Sequence, residues 1–326
     1  MLAPMSDARY EWRLLRAGEF RLDAGSMFGL VPRTVWSRSV PTDDRGRLFV
    51  EHNCLLLWRT VGGVTTRVLI ETGTGDKMDA KNRDIFALTG RSITDALGEA
   101  GVEAGAIDAV IVSHLHFDHA GGLTRLARAG ETPEWVGRGA AGEIGVVRTF
   151  PRAKVIVQAR EWDDALANRS VMTRTYFRDH LEPIAGQVVR VDSARPFTTG
   201  YTPGRDERPA MPLAYRETEV LPGVRVFLAP GHTWGQQGVR FTDVRGRTVV
   251  FTPDVMPTVH HVGQAYSLAY DVEPYTSMVT RGWLLDEAAA GDWLLVLDHE
   301  PGNPCVRVRS NGKGWFDLVP EGCEGT

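Results

Sequence analysis

The stretch Ser113-His-Leu-His-Phe-Asp-His-Ala-Gly-Gly122 decides the reading of this chain. His114, His116, Asp118 and His119 all carry nitrogen or oxygen donors to a metal, and histidine is scarce, with only 9 in 326 residues. Isolated histidines are commonly core or surface side chains, whereas donors this dense are costly to build for any purpose but ligation. The preceding run, Ala109-Val-Ile-Val-Ser113, is short and apolar, as expected of a strand buried on both faces. If extended backbone continues past it, alternate side chains share a face. His114, His116 and Asp118 then point one way and His119 the other, serving two neighbouring metals. Gly121-Gly122 predicts a sharp turn and Leu123-Thr-Arg-Leu-Ala-Arg128 a helix. The donors thus lie where strand gives way to helix, at a sheet edge where sites in layered α/β folds gather.

Further donors occur in the same setting. Val224-Arg-Val-Phe-Leu-Ala-Pro-Gly-His232 is a strand leading into a histidine, Thr248-Val-Val-Phe-Thr-Pro-Asp254 a strand ending in an aspartate, and Trp293-Leu-Leu-Val-Leu-Asp-His299 a strand ending in a histidine. Singly, His232 or His299 would read as an ordinary core or loop histidine. Each at a strand end and beside the first cluster, they read as ligands.

This ordered set resembles the metallo-β-lactamase superfamily over about Cys54 to His299. The resemblance implies an α/β fold, an αββα sandwich with the metal site at one edge of the two sheets. It also implies that His114, His116 and His232 hold one ion, that Asp118, His119 and His299 hold the other, and that Asp254 bridges them. The cofactors would be two divalent ions, zinc by family habit, with iron, manganese or cobalt compatible with the same donors. The true β-lactamases of the superfamily generally place cysteine or serine where this chain has Asp254. A metal-bridging hydroxide is the expected nucleophile. Asp118 is expected to deliver a proton to the leaving oxygen.

Composition is that of one catalytic domain spanning 1–326, with 1–45 as an N-terminal arm. Hydrophobic residues make up 43%, with 9 Trp for a core, and no repeat or linker divides the chain. Arg195 to Pro212 reads as a surface loop. The net charge of −4 has its two signs interspersed, so nothing in it suggests a nucleic-acid face. Arg307-Val-Arg309 reads as the solvated face of a final strand. No apolar run suits a signal peptide or a bilayer, so the expectation is a cytoplasmic enzyme without nucleic-acid or membrane partners. Cys54, Cys305 and Cys323 are odd in number at unrelated spacings, which predicts no disulfide and fits a reducing compartment. Cys54 reads as a small buried hydrophobe in a strand.

The flanks narrow the resemblance. Gly25-Ser-Met-Phe-Gly29, Val31-Pro32 and Trp36 are similar to the N-terminal segment of quorum-quenching lactonases that open N-acyl homoserine lactones. Asp254-Val-Met-Pro-Thr258, His261, Tyr270-Asp271 and Pro274 also look like one branch of that group, itself similar to aryl esterases and organophosphate triesterases. Those lactonases carry a carbonyl-donating tyrosine where this chain has Pro257, which leaves His261, Tyr266 or Tyr176 to take the role. Gln236 and Glu300 also depart from residues common in relatives. An apolar substrate channel is expected from Met27, Phe28, Phe117, Trp234, Met256 and Tyr266, with His261 hydrogen-bonding the lactone ring or amide. Met27, Phe28 and Trp36 would be awkward on a monomer's surface, and relatives with this segment form homodimers, so a homodimer is expected.

Other classes fit less well. The thiolesterase branch needs a C-terminal helical domain, and too few residues follow His299. The persulfide-oxidising branch is a mono-iron oxidoreductase, separable by metal count. Flavodiiron proteins add a flavin domain, nucleases add a basic arm or second domain, and a degenerate binding module would have lost a ligand.

Overall fold

Every side chain along Cys54-Leu-Leu-Leu57 is apolar, and the reason is that their strand is covered on both faces. Cys54 and Leu56 pack in one core with Ile93, Ala96, Leu97 and Trp162 from outer helices. Leu55 and Leu57 pack in another, against Val226, Val239, Phe251 and Val296 of a facing sheet. With side chains alternating at period two, a continuous apolar run is what such burial requires. Each fully buried leucine there contributes about 1.5–3 kcal/mol.

The computed structural model describes residues 6–139, 142–172, 174–197, 203–204 and 207–323. Its strands are, in chain order, β1 (Arg9–Asp23), β2 (Arg47–Val61), β3 (Val64–Ile70), β4 (Ala109–Ile111), β5 (Thr124–Leu126), β6 (Trp135–Gly139), β7 (Gly142–Arg148) and β8 (Lys154–Gln158). There follow β9 (Val188–Val191), β10 (Thr218–Leu221), β11 (Val224–Leu228), β12 (Gln237–Asp243), β13 (Thr248–Thr252), β14 (Leu294–Leu297), β15 (Cys305–Ser310) and β16 (Phe316–Pro320). One sheet runs β1-β2-β3-β4-β8-β9 and the other β10-β11-β12-β13-β14-β15-β16. A short parallel pairing of β1 with β12, Arg9 opposite Thr242, joins their edges. Helix Pro274–Ala290 covers the outer face of the second sheet through Val279, Trp283, Leu284 and Ala288. Two sheets face to face with helices outside make the αββα sandwich expected from the sequence.

Several local expectations are corrected. The strand before the donors stops at Ile111, and His116 caps a one-turn helix, Phe117–Ala120, so the donors do not alternate along an extended strand. His114 and His116 come from a loop, Asp118 and His119 from that helical turn. Thr124–Leu126, expected to be helical, is β5, because pairing with β7 captures it. Gly121 turns no corner, since its φ is −60°. A Cβ there would lie 2.1 Å from the Thr74 carbonyl oxygen, so glycine is required for close approach. The strand carrying Arg307 and Arg309 is not the last, because β16 pairs outside it. Of the segment 1–45 read as an arm, Arg9–Asp23 is a strand of the first sheet. Part of the expected loop from Arg195 to Pro212 lies outside the described residues, as does Met1–Met5.

Cys305 and Cys323 form a disulfide, contrary to expectation. The hairpin of β15 and β16 returns the chain so that Cα atoms 18 positions apart in sequence come to 5.4 Å. Unpaired cysteines therefore no longer support a reducing compartment. Cys54 is free and buried. No described helix is long and apolar enough to cross a membrane.

Candidate metal centre

Loops at one edge of the sandwich bring two donor clusters together. His114, His116, His232 and Asp254 form one, and His119, Asp254, Asp298 and His299 the other, with donor atoms in each within 4.8 Å of one another. Asp254 belongs to both. Its Oδ2 lies 3.0 Å from His232 Nε2 and its Oδ1 3.3 Å from His299 Nε2. Asp118 borders the second cluster, 3.8 Å from His299 Nε2 and 3.9 Å from His119 Nε2. All seven residues read from the sequence as ligands therefore meet in one place.

Outer hydrogen bonds aim the imidazoles. His232 Nδ1 meets Asp271 Oδ1 at 2.9 Å and His299 Nδ1 meets the Glu51 carbonyl at 2.9 Å, while Glu71 Oε2 lies 3.3 Å from His119 Nδ1 as an ion-pair neighbour. Nitrogens facing acceptors must carry the proton, which leaves lone pairs on Nε2 in the neutral rings. The result is crowding: His299 Nε2 and His119 Nε2 sit 3.2 Å apart, and although burial opposes charge on His119, Asp118 and Glu71 raise its pKa well above the usual histidine range. His232 Nε2 likewise lies 2.9 Å from His116 Nδ1. Burial first, then neighbouring imidazoles, push His114 and His116 well below the usual histidine range, so these rings stay neutral. Burial opposes charge on His232 too, but Asp254 and Asp271 outweigh it and hold its pKa at about 10. His114 Nε2 and Asp254 Oδ1 are buried without a hydrogen-bond partner. Ring nitrogens crowded around a shared carboxylate, with His114 Nε2, His116 Nε2 and Asp254 Oδ1 buried and unpartnered, are what two cations would reconcile, so the residues fit a binuclear centre.

A buried carboxylate sets the register between the ligand loops. Glu161 accepts from Leu115 N at 2.9 Å, from the Thr233 hydroxyl at 2.6 Å and from the Tyr176 hydroxyl at 3.2 Å. It ties the loop of His114 and His116 to the loop of His232. Burial raises its pKa, while those donors pull it down.

The centre opens into a cleft floored by His116, Asp118 and Asp254 and walled by Leu22, Phe86, Phe117, Met172 and Tyr270. Its empty volume, counted to the open mouth and including solvent there, is about 730 Å³. Of the sequence-predicted channel residues, Phe117 lines this cleft, its ring 5.0 Å from that of Phe86 and tilted 38° to it. The others lie elsewhere. Met27 and Phe28 are buried in a separate core with Phe20, Trp36 and Leu268. These side chains are covered within the chain itself and supply no argument for a homodimer. Met256 packs under helix Pro274–Ala290, and Tyr266 stands edge-on to Phe28. Trp234 sits under the Arg160 guanidinium in another cleft, with Phe197 and Glu273. Tyr176 is buried with its hydroxyl on Glu161, its ring 5.1 Å from that of His116. His261 does not face the cleft either. Both ring nitrogens are engaged, Nδ1 with the Thr258 hydroxyl at 2.9 Å and Nε2 with the Met27 carbonyl at 2.8 Å, and burial presses its pKa down to about 3.

Sequence reasoning missed Asp298, Glu71, Glu161 and the roles of Asp271 and Tyr270. Asp298 and Glu71 had a signal, since each is a carboxylate directly after an apolar strand. Glu161 had none, because only the tertiary structure brings its three donors together.

A shared carboxylate between two imidazole clusters at the edge of an αββα sandwich defines a metal-dependent hydrolase with a binuclear centre. Residues 47–299 match the metallo-beta-lactamase superfamily, and the chain belongs to it. No curated protein matches the chain by sequence. Among solved structures, a probable metal-dependent hydrolase from Staphylococcus aureus is 20% identical with a TM-score of 0.74, covering 98% of this chain and 99% of its own. The hydrolase AbOPH of the beta lactamase superfamily is 17% identical, TM-score 0.68, covering 97% and 95%. AidC, a dizinc quorum-quenching lactonase solved with a product, is 15% identical, TM-score 0.67, covering 98% and 96%. These likenesses show the fold.

Proposed function

We propose that this enzyme opens the ring of a lactone, an N-acyl homoserine lactone fitting best, with zinc as its metal. The observation that carries the reading is the cleft: its exposed lining is mostly apolar, and no lysine or arginine lines it among the described residues. Beyond the metal site, a second free carboxylate or phosphate on the substrate would meet Asp23 and find no side-chain cation among the described residues. A neutral ring ester with an alkyl tail faces no such cost, and Leu22, Phe86, Phe117 and Met172 offer the tail a surface. The product-bound lactonase AidC, with the same fold, supports the choice.

His114, His116 and His232 would hold one ion, and His119, His299 and Asp118 the other, with Asp254 spanning both. Imidazole and carboxylate donors suit zinc while admitting iron, manganese or cobalt. Bound metals would supply Lewis acidity at the acyl oxygen and a nucleophile at neutral pH. Asp118 lines the cleft whereas Asp298 is buried outside its lining, so Asp118 is the carboxylate proposed to move a proton toward the leaving oxygen. The test is turnover of a panel of homoserine lactones, aryl esters, phosphotriesters and β-lactams, with detection of the ring-opened acid. Fast lactone opening is expected. Lactone rates at the uncatalysed level with rapid ester or phosphotriester turnover would replace this reading by an esterase or phosphotriesterase.

A further inference from the structure

With His261, Tyr266 and Tyr176 all turned away from the cleft, the cleft lining has one phenol among the described residues, Tyr270. Its backbone is fixed from both sides. Ala269 N donates to the Ser26 carbonyl at 2.8 Å, and Val272 N donates to the His232 carbonyl at 3.1 Å. Between them Asp271 is locked onto His232 Nδ1 and also accepts from Leu268 N at 3.1 Å. The Tyr270 ring stands edge-on to the His232 ring at 5.8 Å, which places it over the cluster of His114, His116 and His232. Asp118 lies at the other cluster, beside His299. The Tyr270 hydroxyl reaches the Met27 sulfur at 2.6 Å, and a thioether is a weak acceptor that a substrate oxygen would displace.

We propose that the Tyr270 hydroxyl is a catalytic hydrogen-bond donor to the carbonyl oxygen of the substrate, a role resting on the acyl-transfer chemistry proposed above. As a nucleophile adds to the carbonyl carbon, the π electron pair moves onto oxygen, and the phenol donates to that oxygen without giving up its proton. Serine and threonine hydroxyls also line the cleft, but Tyr270 is the hydroxyl-bearing residue whose ring stands against His232 of the first cluster, where a donor could meet a developing oxyanion. The two ends of the centre then divide the work. Tyr270 serves the carbonyl oxygen over one cluster, and Asp118 serves the leaving oxygen over the other.

The experiment compares wild-type metal-loaded enzyme with Tyr270→Phe on N-hexanoyl homoserine lactone and on acetate esters of phenols of graded acidity. The expected result is a fall in kcat of about 100-fold, the low end for loss of one oxyanion donor. KM should stay within about threefold, with unchanged metal content and circular dichroism, because phenylalanine keeps the ring. The loss should be the same for good and poor leaving groups, since the donor acts on the carbonyl and not on the departing oxygen. An unchanged kcat, a loss confined to KM, or a loss that grows as the leaving group worsens would overturn the assignment. Failure of the lactone reading shows in the wild type instead, as absent lactone turnover, while the Tyr270→Phe ratio is still read on the esters. A wild type inactive on lactones and esters alike would overturn both.

Discussion

Replacing Glu161 by alanine should loosen the metal centre from a position that touches no metal. The carboxylate accepts three hydrogen bonds, from Leu115 N, the Thr233 hydroxyl and the Tyr176 hydroxyl, and is 1% exposed. Its removal strands three buried donors at about 1–3 kcal/mol each. The two hydroxyls can rotate toward other acceptors, but the Leu115 amide cannot, so the net loss should be about 3–5 kcal/mol. Against a total stability of about 5–15 kcal/mol, that is a severe destabilisation. At roughly 2–4 °C per kcal/mol for a chain of this size, Tm should fall by about 6–20 °C. Because Leu115 lies between His114 and His116 and Thr233 follows His232, the first cluster should also lose register, lowering metal affinity about 10–100-fold. Glu161→Gln should be much milder, since the amide can accept from Leu115 N and donate to the Thr233 oxygen. Thermal unfolding of metal-free protein and metal competition with a chromophoric chelator measure the two effects. An alanine variant with wild-type Tm and affinity, or a glutamine variant as damaged as alanine, would refute the reasoning.

Asp271→Asn should lower metal affinity about 10–100-fold in the same chelator assay, because His232 loses the charged acceptor that fixes its tautomer; unchanged affinity would remove Asp271 from that role. Burial presses the Lys77 ammonium from 10.5 down to about 8 while it donates to the Gly121 and Thr124 carbonyls. The unfolded chain therefore holds that proton over pH 8–10.5 while the folded chain does not, so this group makes stability rise with pH there. Its destabilising contribution is full below about 8. In urea unfolding of metal-free protein, Lys77→Met should lack that rise, a difference of up to about 1.4 kcal/mol per pH unit; parallel pH profiles would contradict it. Cys323→Ser should cost about 3 kcal/mol, as expected for opening a loop of 18 residues. A non-reducing peptide map without a Cys305–Cys323 link would contradict the disulfide itself.

What was legible from sequence was the chemistry that follows a strand. His114, His116, Asp118, His119, His232, Asp254 and His299 each follow an apolar run, and a strand end is a local signal. The continuous apolar runs, such as Cys54 to Leu57, likewise announced a sheet covered on both faces. Illegible were features fixed by tertiary partners. Thr124–Leu126 has a helical pattern but is claimed by β7, and the two glycines at 121 and 122 answer to the Thr72 and Thr74 carbonyls rather than to a turn. The pocket walls suffered most. Aromatic and methionine side chains at Met27, Phe28, Met256 and Tyr266 look alike in sequence whether they line a cleft or fill a core, and here they fill cores. Leu22, Phe86 and Met172 reach the cleft from segments with no motif.

The central claim is that one carboxylate, Asp254, holds two metal ions. Anomalous scattering from crystals of the metal-loaded protein, with elemental analysis of the same sample, tests it directly. The prediction is two ions per chain about 3.5–4 Å apart, one beside His114, His116 and His232 and the other beside His119 and His299, with an Asp254 oxygen on each. Asp254→Ala should deplete both. A single ion, or two ions of which Asp254 touches only one and whose loss in the alanine variant is confined to that one, would contradict the account.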